Sequence, residues 1–561
     1  MIKKQNMRHL PELVLRAYEK IFRSNGAGFP WFLSLSGLLV FSETPLKAIV
    51  LVLLISPLRS QMGLRQIFLI FSRNLIVFTG ILWSIHSLLG YFMIESLRHT
   101  AIKILIELAA IQIVQFLNSP DCALKEQIIR PNIAKLFFLA TVVSLYTYSF
   151  FNFPRRLATF LLGWDHLNGH LWLASRIFQE GRIRINSADG MGIYPKAEFP
   201  LILSFARASV DFQSLVQSIF FIEVLLSIAT LVVLHELTFG RMNSSKLGKR
   251  IQICCTFLVF PILIWFSFYG WTSLILTTSS LLLLVWQSSV PRRKYNLLFT
   301  LFLSLAAFQS WTLVAPIVVI IFFAGMRKID TKNILFGCIF FLINIPSILA
   351  IVNYNGVEQV SEGFKSKSLL FFLIFACLGV PISFALRYKK IGVHFKLLIL
   401  SLYIEAILIW ATNSFGRELP YYAIKLFLMT LIFFIPLGVY LVIRTLRIER
   451  LQLAFLGILL VVLGFGNVPA SKYGYLDFLF GKNLETNWLS ENIVSQKAKI
   501  KTSKVILHSK YVVDLNTIGD VGKNRNQEVF AHDSNYICEI ARSKRPVIII
   551  SEPMFILPKC N

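Results

Sequence analysis

The residues best equipped for chemistry fall in one polar stretch, Gly163 to Pro200, which reads GWDHLNGHLWLASRIFQEGRIRINSADGMGIYPKAEFP. It is the longest polar interruption in a chain built from apolar runs. It gathers Asp165, His166, His170, Asp189 and Glu198 beside Trp164, Trp172 and Tyr194. Asp165 precedes a helix-like run, His166 to Glu180, that Gly181 closes. Its carboxylate can cap that helix by accepting backbone N–H bonds. It can also serve as a general base at a membrane edge, where partial desolvation makes a carboxylate a better proton acceptor. The two roles are compatible. His166 and His170 stand four apart on one helical face, a spacing that can hold a metal. No third ligand lies nearby, so hydrogen bonding to a substrate or an interfacial role is the main reading; no cofactor is assigned, and a divalent metal stays open. Leu167, Leu171, Ala174 and Phe178 recur at helical spacing, which lays this helix flat on a membrane surface. Asp189, in Ser-Ala-Asp-Gly, is a turn residue. Glu198, shortly after Tyr194-Pro195, is either a structural partner for an arginine or a ligand contact.

A second constellation, Gly416 to Lys425, reads GRELPYYAIK and sits at the start of a late apolar run. Arg417 and Lys425 can hold a phosphate, the arginine through a bidentate fork and the lysine as a point charge. Tyr421 and Tyr422 lie between them. Tyr and Lys at the end of a span also serve as interfacial anchors. Glu223, His235, Glu236 and Glu405 are ionisable groups in or near apolar runs, where their cost in lipid invites a functional reading. His235-Glu236 is expected at a solvated cytoplasmic end.

These residues need a scaffold, and the scaffold is a membrane one. Of 561 residues 56% are apolar, fifty of them phenylalanine. Apolar runs of about 17–25 residues suffice to cross a bilayer as helices. Such runs recur near 31–42, 45–57, 67–92, 101–118 and 136–153 before the polar loop. After it they recur near 213–238, 251–269, 272–290, 296–310, 312–325, 333–352, 368–386, 396–412, 422–443 and 452–467. Lys103 and Glu107 interrupt one of them, at a spacing that lets them pair within the helix. Region 296–325 needs two short helices hinged near Gln309-Ser310-Trp311, because both of its flanks are basic.

The formal charge of +27 is read through the positive-inside rule and not as a nucleic-acid footprint. Basic connections such as Arg241/Lys246/Lys249/Arg250 and Arg387/Lys389/Lys390/Lys396 alternate with connections nearly free of Lys and Arg, such as Gly270-Trp271. The chain is therefore expected to be a polytopic α-helical membrane protein of about 13–15 spans. Its expected parts are a basic cytoplasmic N-terminus (1–28), N-terminal membrane helices (29–153), an extracytoplasmic loop with a surface helix (154–212), a membrane helix bundle (213–467) and a small extracytoplasmic α/β domain (468–561). In that last part Lys504–Leu507, Tyr511–Leu515 and Pro546–Ser551 look like strands. The seven cysteines show no CxxC spacing; Cys538 and Cys560, both placed outside, are expected to pair.

An early outer loop with an acidic residue opening a surface helix, a Tyr194-Pro195 dipeptide further on, a late Tyr421-Tyr422-x-x-Lys425 and an outer C-terminal domain together resemble the C-type fold (GT-C) glycosyltransferases. The nearest flavour is the bacterial envelope enzymes that use polyprenyl-phosphate sugars, such as arabinofuranosyl- and mannosyltransferases. The resemblance implies a bacterial inner-membrane enzyme with Asp165 as base, Tyr421, Tyr422 and Lys425 near the donor phosphate, and inversion at the anomeric carbon. The implied partners are the lipid-linked donor, membrane lipids and a glycan, lipid or protein acceptor, with no nucleic acid. Two features depart from the family. About five runs precede the acidic loop here, and the paired acidic motif of some members is Asp165-His166. Rival classes are a transporter or lipid/glycan flippase and an envelope polysaccharide polymerase or ligase.

Overall fold

The computed structural model describes residues 46–57, 63–118, 133–158, 197–207, 212–242, 245–289, 296–325, 331–352, 386–413 and 420–446, two strands at 504–508 and 547–551, and the isolated positions 37, 174, 177–178, 181–183, 379 and 382–383. The N-terminal segment 1–28, the expected run 452–467, nearly all of the expected runs 31–42 and 368–386, the expected strand Tyr511–Leu515, and Cys538 and Cys560 lie outside the described residues.

Fourteen helices follow one another among the described residues. They are α1 (Lys47–Ile55), α2 (Leu64–Tyr91), α3 (Thr100–Asn118), α4 (Ile133–Ala158), α5 (Glu198–Phe205), α6 (Phe212–Phe239), α7 (Lys246–Phe257), α8 (Phe260–Tyr269), α9 (Thr272–Ser289), α10 (Asn296–Ser310), α11 (Ala315–Gly325), α12 (Thr331–Val352), α13 (Val393–Asn413) and α14 (Pro420–Leu446). Six stretches within them are long and apolar enough to cross a membrane: Leu64–Tyr91, Thr100–Asn118, Gln217–Phe239, Leu247–Ile264, Val393–Ala411 and Tyr422–Arg444. The chain is a helical membrane protein by that measure. The expected run 251–269 is two helices, because the chain turns at Leu258-Val259 before Pro261 enters the first turn of α8. Far along the chain, β1 (Lys504–His508) and β2 (Val547–Ser551) pair in parallel, Lys504 opposite Val547 and His508 opposite Ser551.

The bundle is built around α9, which packs against α2, α6, α8, α10, α11 and α13. A helix buried on all sides carries hydroxyls only if they are satisfied. Thr277, Thr278, Ser279 and Ser280 donate to the carbonyls of Ser273, Leu274, Ile275 and Leu276 at 2.6–3.0 Å. Ser279 also bonds Thr230 of α6 at 2.7 Å. Small and hydroxylated residues let helices approach closely where water supplies no driving force. Gly80 of α2 shows the limit of that approach, since a Cβ there would lie 2.3 Å from the Phe302 carbonyl oxygen of α10.

Several charged groups inside the bundle find partners on neighbouring helices. Lys47 and Glu107 form an ion pair at 2.9 Å, both side chains fully buried. This corrects the expectation that Glu107 takes Lys103 of its own helix as partner: the first helix brings a better-placed ammonium, while Lys103 reaches the Leu203 carbonyl of α5 at 3.3 Å. Arg73 bonds Asn118, and its guanidinium lies 3.9 Å above the Phe299 ring.

Connections that the charge pattern expects on one side do meet at one end of the bundle. Arg65 pairs with Glu236, Gln287 bonds Asn296 at 2.8 Å, Arg444 donates to the Tyr388 hydroxyl at 2.8 Å and His394 meets the Ala324 carbonyl at 3.1 Å. Glu236 is thus an ion-pair partner for the first turn of α2, and His235 bonds Thr256 of α7 at 3.1 Å.

Candidate functional site

At the other end of the bundle, four elements distant in sequence close a ring of contacts. The first is the turn between α8 and α9. Gly270 adopts φ +76°, a left-handed conformation that glycine enters without Cβ strain. Its N–H reaches the Ser267 carbonyl at 3.1 Å, and the Trp271 N–H reaches the Phe266 carbonyl at 2.8 Å. This pair of bonds ends a helix and reverses the chain. Trp271 is thereby packed on Phe266, with ring centres 5.6 Å apart, and buried.

The second element is the first part of α14. Lys425 places its ammonium 4.6 Å from the centre of the Trp271 ring, inside the range at which a cation is drawn to an indole face. One turn earlier, Tyr422 lies 6.5 Å from Trp311. Trp311 belongs to the third element, the break between α10 and α11, where the backbone is extended (φ −155°, ψ 105°) before a short 3-10 turn, Thr312–Val314. The expected hinge near Gln309-Ser310-Trp311 is where the structure has one.

Gln309 ties the third element to the fourth. Its carbonyl accepts the Ala197 N–H at 3.0 Å, and its side-chain amide donates to Asn344 of α12 at 2.5 Å. Ala197 leads into α5, whose eight residues are all buried. The first of them, Glu198, accepts from Ser273 of α9 at 2.7 Å. Ser273 is two residues past Trp271, so the ring closes. Beneath it, the fully buried Glu223 of α6 accepts from Ser267 at 2.5 Å and from Thr272 at 2.6 Å.

The structure therefore brings together three residues that the sequence singles out, Glu198, Tyr422 and Lys425. Tyr421 stands beside them in the first turn of α14. Asp165, His166, His170, Tyr194 and Arg417 lie outside the described residues. So does most of the loop that carries the first four. A short piece around Gly181 is described. Gly181 has φ +75°, and its N–H bonds the carbonyls of Ile177 and Phe178 at 2.9 and 3.1 Å, a helix end where the sequence expects one. That end sits on the turn between α2 and α3. The Leu97 N–H bonds the Gly181 carbonyl at 2.8 Å, and a Cβ on Gly90 would meet the Ile183 carbonyl at 2.5 Å. His86 braces the same turn through Ser96 at 2.9 Å.

Sequence reasoning missed Trp271, Ser273, Gln309, Trp311 and Asn344 as members of a site. The signal was present for two of them: each tryptophan marks a helix break at an end with few charges. For Ser273 and Asn344 nothing distinguishes a site residue from the many other small polar residues of the apolar runs. Among the described residues no group of three His, Cys, Asp or Glu could hold a metal.

The ring mixes a carboxylate, an ammonium, a phenol and two indoles. Trp271, Trp311 and Glu198 are buried, whereas Tyr422 and Lys425 are half-buried, so the set is open on the α14 side. Aromatic faces suit the apolar face of a sugar ring, a carboxylate suits its hydroxyls, and an ammonium suits a phosphate.

No family model, no curated protein and no solved structure matches the chain.

Proposed function

We propose that the chain is a membrane glycosyltransferase that moves a sugar from a polyprenyl-phosphate donor to a glycan, lipid or protein acceptor on the outer face of a bacterial plasma membrane. The observation that carries this reading is the convergence of Lys425, Tyr422, Trp271, Trp311 and Glu198 at one end of the helix bundle. A transferase working outside the cell meets no nucleotide sugar, so its donor must be carried by lipid. The prenyl chain lies between helices, and the phosphate rests at the mouth beside Lys425 and Arg417. Asp165 takes the proton of the acceptor hydroxyl while that oxygen attacks the anomeric carbon. The bond from that carbon to the phosphate oxygen breaks, and lipid phosphate leaves with the electron pair. Holding the leaving phosphate by fixed cations stabilises the charge that develops on it. The full topology of this reading has about 13–15 spans, with residues 154–212 and 468–561 outside.

The experiment that tests it is Asp165→Asn. Asparagine caps a helix about as well as aspartate does, so a residue that only caps tolerates the change. A base does not: transfer of radiolabelled sugar from the lipid donor is expected to vanish while the protein still inserts and purifies as a single species. Turnover at the wild-type rate in Asp165→Asn contradicts the assignment.

A second reading, a lipid or glycan flippase, is favoured by one observation, the fully buried Lys47–Glu107 pair. Such charges in membrane helices mark pathways in transporters. A flippase leaves the sugar–phosphate bond intact, which separates the two readings in one assay.

A further inference from the structure

Glu223 is an acid inside a membrane helix that the proposed reaction does not use. Its surroundings give it a task. It is 1% exposed, and its two carboxylate oxygens each accept one hydroxyl: Ser267 on the last turn of α8 at 2.5 Å and Thr272 at the start of α9 at 2.6 Å. Those two donors bracket Gly270 and Trp271, the whole of the reversal between the helices. A bidentate acceptor bridging both sides of a two-residue turn fixes the angle at which the turn leaves α8. That angle sets where the Trp271 indole stands, and the Lys425 ammonium rests on that indole at 4.6 Å.

We propose that Glu223 is a positioning residue: it clamps the α8–α9 turn and, through Trp271, fixes the lysine that receives a lipid phosphate. The clamp itself is independent of the proposed transfer reaction, and the role of the lysine toward phosphate rests on that reaction. No proton or bond changes hands at Glu223. A carboxylate is suited to the task because both of its oxygens accept, whereas an amide offers one acceptor and must donate with its other end.

The test is a double-mutant cycle on the full-length protein in detergent, with two readouts. The first needs no ligand. Emission of Trp271, taken as the difference between wild type and Trp271→Phe, reports how the ammonium lies on the ring. Lys425→Ala is expected to shift that emission, Glu223→Leu to shift it too, and Glu223→Leu to shift it less once Lys425 is gone, because only the displacement of the indole itself then remains. The second readout is the affinity for farnesyl phosphate. Glu223→Leu is expected to weaken it by about tenfold in the wild-type background and by less than about twofold in Lys425→Ala, because residues that act through one contact are non-additive. Equal effects of Glu223→Leu in both backgrounds in the fluorescence readout, or in the affinity readout when wild type binds farnesyl phosphate, overturn the proposal and leave Glu223 as a general packing residue.

Should Glu223→Leu fail to purify as a single species, Ser267→Ala/Thr272→Val removes the same two hydrogen bonds from the other side and is held to the same outcomes. If the fluorescence cycle behaves as expected but no variant and no wild-type protein binds farnesyl phosphate, the clamp stands and the donor reading falls.

Discussion

Lys425 holds its ammonium against the Trp271 indole, a contact that changes what a span-end lysine can do. An exposed lysine at a helix start is a hydrated point charge. Placed on an indole face and half-buried, it has already given up part of its water, and in the proposed reaction it is the cation that would meet the donor phosphate. The Lys47–Glu107 pair is a different case. Both groups are fully buried, 2.9 Å apart. Removing one partner leaves an uncompensated charge, at a cost of about 3–5 kcal/mol, whereas replacing both with apolar groups of similar volume is often neutral. Glu107→Leu is therefore expected to lower the thermal unfolding temperature in detergent sharply, and Lys47→Met/Glu107→Leu to recover most of the loss. If the pair carried a transport pathway and nothing structural, the single variant would unfold like wild type.

Helix approach sets the next scale. Gly80 of α2 and Gly337 of α12 are both helical glycines, but the space beside them differs. A Cβ at Gly80 meets the Phe302 backbone oxygen at 2.3 Å, while one at Gly337 meets only the Phe323 ring at 3.8 Å. Backbone cannot swing aside as a side chain can, so Gly80→Ala must push α2 off α10, with an overpacking cost of about 1–3 kcal/mol. Gly337→Ala has no such cost and removes the entropic penalty of glycine, worth about 0.5–1 kcal/mol. Opposite shifts in unfolding temperature are the expected result; shifts of the same sign would mean that the close α2–α10 contact is not a constraint.

Legibility from sequence also belongs to this scale. Apolar period and basic flanks are local, and they marked α2, α6, α9, α10 and α14 to within a few residues. The split of α7 from α8 had a local signal in Pro261, in the first turn of α8, but the unbroken apolar run around it hid the boundary. Which ends meet is not local at all. That Glu198 faces Ser273, or that Gln309 receives the Ala197 N–H, depends on how the helices pack, and no spacing in a single chain encodes it. Lys425 was legible as a span-end cation; its indole platform, more than one hundred residues earlier in the chain, was not.

For the whole molecule, the two ends of the bundle have different characters. One collects Arg65, Glu236, Tyr388, Arg444 and His394 in hydrogen bonds and ion pairs; the other collects the aromatic ring with Glu198 and Lys425. In the proposed topology, argued from the positive-inside rule, the first faces the cytoplasm. In a variant lacking all seven native cysteines, a cysteine at Lys246 is accordingly expected to resist an impermeant maleimide in intact cells and to react only after the membrane is opened. A cysteine at Asn524 should react from outside. Labelling of position 246 in intact cells would reverse the orientation and place the aromatic ring on the wrong side for a lipid-linked donor.

Donor capture tests the central claim most directly. The purified protein is incubated with a panel of polyprenyl-phosphate sugars, washed, and the retained and released lipids are identified by mass spectrometry. The account predicts that wild type retains at least one such donor and, with an acceptor present, releases free polyprenyl phosphate. Lys425→Ala should retain about tenfold less donor, and Lys425→Arg, which keeps the charge, should stay within a few-fold of wild type. Retention of no polyprenyl-phosphate sugar, or equal retention by wild type and Lys425→Ala, contradicts it.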